Sequence, residues 1–192
     1  MLNSLKYPLD TSSILRKKKS IKKKLLQNDL IKKNIPIFGG STTSEIKNIL
    51  ELFLLDKGVK SNFYESDYNK YYEDALFGND ELDKFNPDII YIHTTNKNII
   101  KYPFPKDNSK EIDALLSNEI QKYKSIWSSL LKFNCAIIQN NFDLTIDRSL
   151  GNLDCSDIHG KTYFINKLND ELAKSSREIK NLYINDINYL SS

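Results

Sequence analysis

Two short stretches carry residue types able to act on an oxygen atom. Gly39-Gly40-Ser41-Thr42-Thr43-Ser44 joins an apolar run to an amphipathic segment. A glycine pair permits a tight strand-to-helix turn, and the first turn of a helix offers free amides at its positive end. Ser41 is then either a nucleophile or anion anchor, or one of Ser41, Thr42 and Thr43 caps the helix. His93-Thr94-Thr95-Asn96-Lys97-Asn98 follows a second apolar run. An Asn96 amide beside the Ser41 loop would donate to the same oxyanion, or else stabilise its own turn. There is no Gly-Lys-[Ser/Thr] phosphate loop and no GxGxxG pattern, so a nucleotide site is not expected.

A serine hydroxyl needs a neighbouring base to become nucleophilic near neutral pH. Only two histidines are available, His93 and His159. His93 ends an apolar run, and both a crevice position and a packed position fit it. His159 lies in the long segment 141–160, close after Cys155-Ser156-Asp157, where a loop can fold over a site. Asp143, Asp147, Asp154, Asp157 and His159 share that segment, but their irregular spacing lacks the calcium-loop glycine pattern, and no metal site is expected. Nothing supports Cys155 as a nucleophile.

The elements that must position these residues can be read from periodicity. Residues 35–38, 62–65, 88–93, 135–139 and 182–185 are short apolar runs that read as strands. Residues 42–57, 109–133 and 163–174 read as helices. Near-continuous apolar strands alternating with helices predict a parallel sheet covered on both faces. Five strands give a three-layer, flavodoxin-like α/β fold with default order 2-1-3-4-5. In such sheets the functional crevice lies beyond the carboxyl ends of the strands, near the switch between the first and third. That rule points just past Phe38, His93 and Gln139.

The chain has 192 residues and a net charge of +3, but the charge is unevenly placed. Residues 1–34 carry ten Lys/Arg and two Asp, whereas residues 35–192 carry eighteen Lys/Arg and twenty-three Asp/Glu. Ile14, Leu15, Ile21, Leu25, Leu26, Leu30 and Ile31 recur at helical spacing within the basic segment. The expected organisation is a basic helical extension, 1–34, docked on one α/β domain, 35–192. A nucleic-acid partner is not expected. No apolar run approaches the roughly 20 residues of a membrane span, and no apolar leader follows Met1. Two cysteines give no disulfide framework, so the expected setting is the cytoplasm.

Gly39-Gly40-Ser41 and Thr94-Thr95-Asn96-Lys97, the latter after Pro87-Asp88 and an apolar run, resemble the serine and asparagine blocks of SGNH hydrolases. A wider resemblance spans nearly the whole chain. Leu9-Asp10-Thr11-Ser12, Gly39 to Thr43, His93 to Asn96, Gln139-Asn140-Asn141-Phe142 and Leu150-Gly151-Asn152-Leu153-Asp154 are together similar to the N-terminal part of FkbH-like proteins. In those proteins an SGNH-like domain precedes a haloacid-dehalogenase (HAD) type phosphatase domain. The resemblance implies biosynthetic work, on polyketides or surface polysaccharides, with an acyl or glyceryl ester or thioester on an acyl carrier protein. It makes Ser41 the nucleophile, Asn96 an oxyanion donor and Asp186 the partner of a missing base. Gly39, Gly40, Thr42, Thr43, His93, Thr95, Asn140, Asn141 and His159 are the expected binding residues.

The departures are specific. Asp186-Ile187-Asn188-Tyr189 lacks the His of Asp-x-x-His. Ser66-Asp67-Tyr68-Asn69 lacks the second oxyanion glycine, and the HAD signature is absent. No cofactor is expected in this domain, and Mg²⁺ would belong to a HAD-type domain further along a longer protein. The alternative reading is therefore a non-catalytic scaffold that binds a substrate, a carrier or a HAD-type domain.

Overall fold

The five apolar runs become five strands in one parallel sheet of order β2-β1-β3-β4-β5. The computed structural model describes residues 5–66, 70–78 and 80–191. Its strands are β1 (Ile31–Gly39), β2 (Val59–Glu65), β3 (Ile89–His93), β4 (Ala136–Asn140) and β5 (Leu182–Asn185). The helices are α1 (Thr11–Leu25), α2 (Ser44–Asp56), α3 (Tyr71–Phe77), α4 (Asp80–Phe85), α5 (Ser109–Leu130), α6 (Lys161–Glu178) and α7 (Ile187–Ser191). The switch in strand order falls between β1 and β3, as expected.

Strand alternation sets the layers. Ile90 and Ile92 of β3, Ile137 and Gln139 of β4, and Leu182 of β5 are buried on one face, under α5 and α6. The apolar stripe of α5 (Ile112, Ile120, Tyr123, Ile126, Trp127, Leu130) packs into this core with Phe142, Phe164 and Leu168. Each large apolar side chain so buried contributes about 1.5–3 kcal/mol. Asn108 starts α5 with a capping box: its side chain accepts from the Glu111 amide at 3.1 Å, and Glu111 accepts from the Asn108 amide at 2.7 Å. No helix among the described residues is long and apolar enough to cross a membrane.

The basic segment folds as a docked helix, with a correction at its end. Asp10 caps α1, accepting from the Ser13 amide at 2.9 Å. Ile14, Ile21 and Leu25 pack on Leu52 and Leu55 of α2, and Lys18 and Lys22 pair with Glu45 and Glu51. The helix stops at Leu25. Leu30 precedes the sheet and Ile31 opens β1, paired with Val59. The helical stripe expected through Ile31 fails because residues 31–34 gain ladder bonds to β2 while leaving Lys32 exposed. Helices α3, α4 and α7 lie outside the periodicities read from sequence; each is seven residues or fewer.

Candidate functional site

Four loops converge at the carboxyl ends of the strands. Gly39 stands in register with His93, and the Gly40 amide donates to the His93 carbonyl at 2.9 Å. The Ser41 loop and the end of β3 are thus directly coupled. Both glycines are required by close approach. A Cβ at Gly39 would lie 2.4 Å from Cγ2 of Thr43, and one at Gly40 would lie 2.3 Å from Nδ2 of Asn98. Asn98 also donates to the Gly40 carbonyl at 2.7 Å. Glycine at position 40 is therefore explained by the Asn98 amide lying against it.

Thr43 occupies the N-cap position of α2 but forms no side-chain cap bond. Its hydroxyl donates instead to Glu65 at 2.7 Å, and Lys47 also pairs with Glu65. Burial alone would raise the Glu65 pKa, but the bonds from Lys47 and Thr43 bring it below the usual carboxylate range. Thr42 is exposed and Ser41 is half-buried. No hydrogen bond holds the Ser41 hydroxyl among the described residues.

The turn after β3 is a 3-10 helix, Asn96–Asn98, begun by Thr95. Asn98 Oδ1 accepts from the Thr95 amide at 2.9 Å. Asn96 is held by Asp143, which accepts from its backbone amide and from its side-chain Nδ2, each at 2.9 Å. Tyr102 donates to the Asn96 carbonyl at 2.9 Å. From α5, the buried Lys122 pairs with Glu119 and donates to the Asn98 carbonyl at 3.0 Å, while Glu119 accepts from the Ile100 amide at 3.2 Å. This buried ion pair fixes the turn to the helix.

Asn140 at the end of β4 contacts His93 through Nδ2, 2.8 Å from Nδ1, and its Oδ1 accepts from Asn185 and Tyr91. Burial pushes the His93 pKa down, with the Asp143 carboxylate opposing. Asn141 donates to Asp186 at 2.7 Å, and Asp186 also accepts from the Tyr189 amide at 3.1 Å. His159 is engaged elsewhere: its Nδ1 lies 2.7 Å from Asp157 and its Nε2 lies 2.9 Å from the Asp107 carbonyl. The Asp107 carbonyl and then the Asp157 carboxylate raise its pKa. Asp154 is fully buried, accepting from the Thr162 and Leu150 amides, so the Leu150 to Asp154 motif clamps the segment between β4 and α6.

The geometry therefore joins Gly39, Gly40, His93, Thr95 and Asn140 into one connected network and places Asn141 with Asp186 beside it. Tyr91 and Asn185 belong to this network although no sequence motif marks them, and Asn98 and Asp143 enter it in roles the sequence does not assign. Asp143 lies within the region past Gln139 that the strand-end rule indicates, and Asn98 is two residues from Asn96 in the same turn. No imidazole or carboxylate among the described residues bonds the Ser41 hydroxyl. Residues 67–69, where the second oxyanion glycine was sought, lie outside the described residues. Among the described residues no cluster of three or more His, Cys, Asp or Glu is placed to hold a metal ion.

The model of the family described as FkbH, N-terminal domain, matches residues 34–192, most of the chain. The chain belongs to the FkbH N-terminal domain family. The FkbH N-terminal domain described here is also similar to a solved structure, the N-terminal part of the protein BF1531 from Bacteroides fragilis, containing a phosphatase domain complexed with Mg. Sequence identity is 19% and the TM-score is 0.75, over 91% of this chain and 46% of that one. The likeness shows the same fold, and this FkbH N-terminal domain spans less than half of that solved chain. A comparison with curated proteins finds no match.

Proposed function

We propose that the crevice binds an acyl or glyceryl group, presented as an ester or thioester on a carrier protein, without hydrolysing it by itself. The observation carrying this reading is that no imidazole or carboxylate among the described residues bonds the Ser41 hydroxyl. His159 is tied to Asp107 and Asp157, His93 to Asn140, and Asp186 to Asn141. What the crevice offers is a set of donors and close backbone approaches around Ser41. In this reading Ser41 anchors an oxygen, Asn96 is positioned by Asp143, and the domain delivers its ligand to a HAD-type phosphatase domain of a longer biosynthetic protein.

A second reading keeps Ser41 as the nucleophile of an SGNH-type hydrolase or acyltransferase, with Asn96 as oxyanion donor. It is favoured by one observation, the Ser41 hydroxyl free of intramolecular partners among the described residues beside two tightly fitted glycines. Its base would have to come from outside the residues described.

Titration of ¹⁵N-labelled protein with the N-acetylcysteamine thioester of glycerate tests the first reading. Amide shifts are expected at 39–43, 93–98 and 140–143, with no thioester cleavage above the buffer rate. Absence of shifts in these three loops, or cleavage lost in Ser41→Ala, would overturn it.

A further inference from the structure

The hydrogen bonds around His93 fix which ring nitrogen carries its proton. Asn140 Oδ1 accepts from Asn185 Nδ2 at 2.8 Å and from the Tyr91 hydroxyl at 3.2 Å. Two donors on that atom identify it as the amide oxygen, so the amide nitrogen is the atom facing His93 Nδ1 at 2.8 Å. An amide NH₂ only donates, and Nδ1 must therefore present its lone pair. Tyr91 lies 3.3 Å from Nδ1 as well, but its single proton is directed to Asn140 Oδ1. A neutral imidazole carries one proton, which leaves it on Nε2.

His93 is 9% exposed, and burial favours the uncharged ring. Nε2 has no partner among the described residues. The amide of Gly40 bonds the carbonyl of His93, which joins the end of β3 to the Ser41 loop.

We propose that His93 is a fixed hydrogen-bond donor of the crevice, recognising a carbonyl or carboxylate oxygen of the ligand through Nε2–H, and is not a base for Ser41. The proposal deepens the binding reading above and rests on it. A buried neutral N–H of fixed direction selects oxygen acceptors and rejects ligands that present a donor at that point, because either group would then be left unpaired. It also removes the one histidine adjacent to the Ser41 loop from general-base duty, since a nitrogen that already holds its proton cannot take the serine's.

Long-range ¹H–¹⁵N correlation of the histidine rings in the full chain at pH 7 tests the assignment without any ligand. The expected pattern is unprotonated Nδ1 with Nε2 bonded to hydrogen; a protonated Nδ1, in either a neutral or a cationic ring, overturns it. Titration with the glycerate thioester then separates this role from the binding reading. His93→Gln places an amide N–H near the Nε2 position and is expected to retain binding within about three-fold, whereas His93→Phe is expected to lose on the order of ten-fold. Equal binding by the wild type and a folded His93→Phe overturns the donor role while leaving the binding reading standing. A wild-type chain with the expected ring pattern but no binding overturns both. Should His93→Phe not fold, a His93→Gln protein that has lost binding overturns the role.

Discussion

At the residue scale, position 40 shows how one side chain dictates another. Gly40 is glycine because Asn98 Nδ2 would meet any Cβ at 2.3 Å. Asn98 in turn needs the Gly40 carbonyl as its acceptor. Gly40→Ala should therefore cost about 1–3 kcal/mol in urea unfolding, the usual cost of forcing atoms into a filled site. Asn98→Ala removes the clash but leaves the carbonyl without its partner, so the double variant should recover part of the Gly40→Ala loss. Additive losses would show that the two residues do not act on each other. This contact was not legible in the sequence. Gly39-Gly40-Ser41 marks the loop, but the partner that explains the second glycine is 58 residues away and becomes its neighbour only when β1 and β3 pair.

At the element scale, α5 does more than cover the sheet. Glu119 and Lys122, one turn apart, are 3% and 8% exposed in their side chains and hold the Ile100 amide and the Asn98 carbonyl. Removing one member of such a pair leaves an uncompensated buried charge, which costs about 3–5 kcal/mol. Lys122→Met should be destabilised by that amount in urea unfolding, and Lys122→Met with Glu119→Gln by clearly less. Equal losses in the single and double variants would contradict the pairing. The sequence shows α5 clearly because its apolar stripe repeats over 22 residues and its capping box is local. The strands β3 and β5 are legible because each is a short run of mostly apolar or aromatic residues. The start of β1 was not legible, since Lys32, Lys33 and Asn34 continue the composition of the basic helix. Only pairing with β2, and the bonds of Lys33 and Asn34 to Asp88, make them strand.

At the scale of the whole molecule, the basic helix and the loops of the crevice belong to different elements. The family match begins at residue 34, within β1, and leaves α1 outside it. That helix docks on α2 through Ile14, Ile21 and Leu25 and contributes no residue to the crevice network. The site is therefore a property of the acidic body, where strand order and the ends of β1, β3 and β4 bring the loops together. Fold class and strand order follow from local periodicity and were readable. The state of the site was not, because Asp143, Asn140 and Asp157 decide it through contacts between separate loops.

The most direct measurement of the central claim is intact mass after exposure of the folded protein to a fluorophosphonate, which captures a serine that a base has activated. A crevice that binds without hydrolysing should show no mass increase, with the glycerate thioester recovered unchanged from the same protein. A single adduct mapped to Ser41 and absent in Ser41→Ala would contradict the account and establish an active nucleophile.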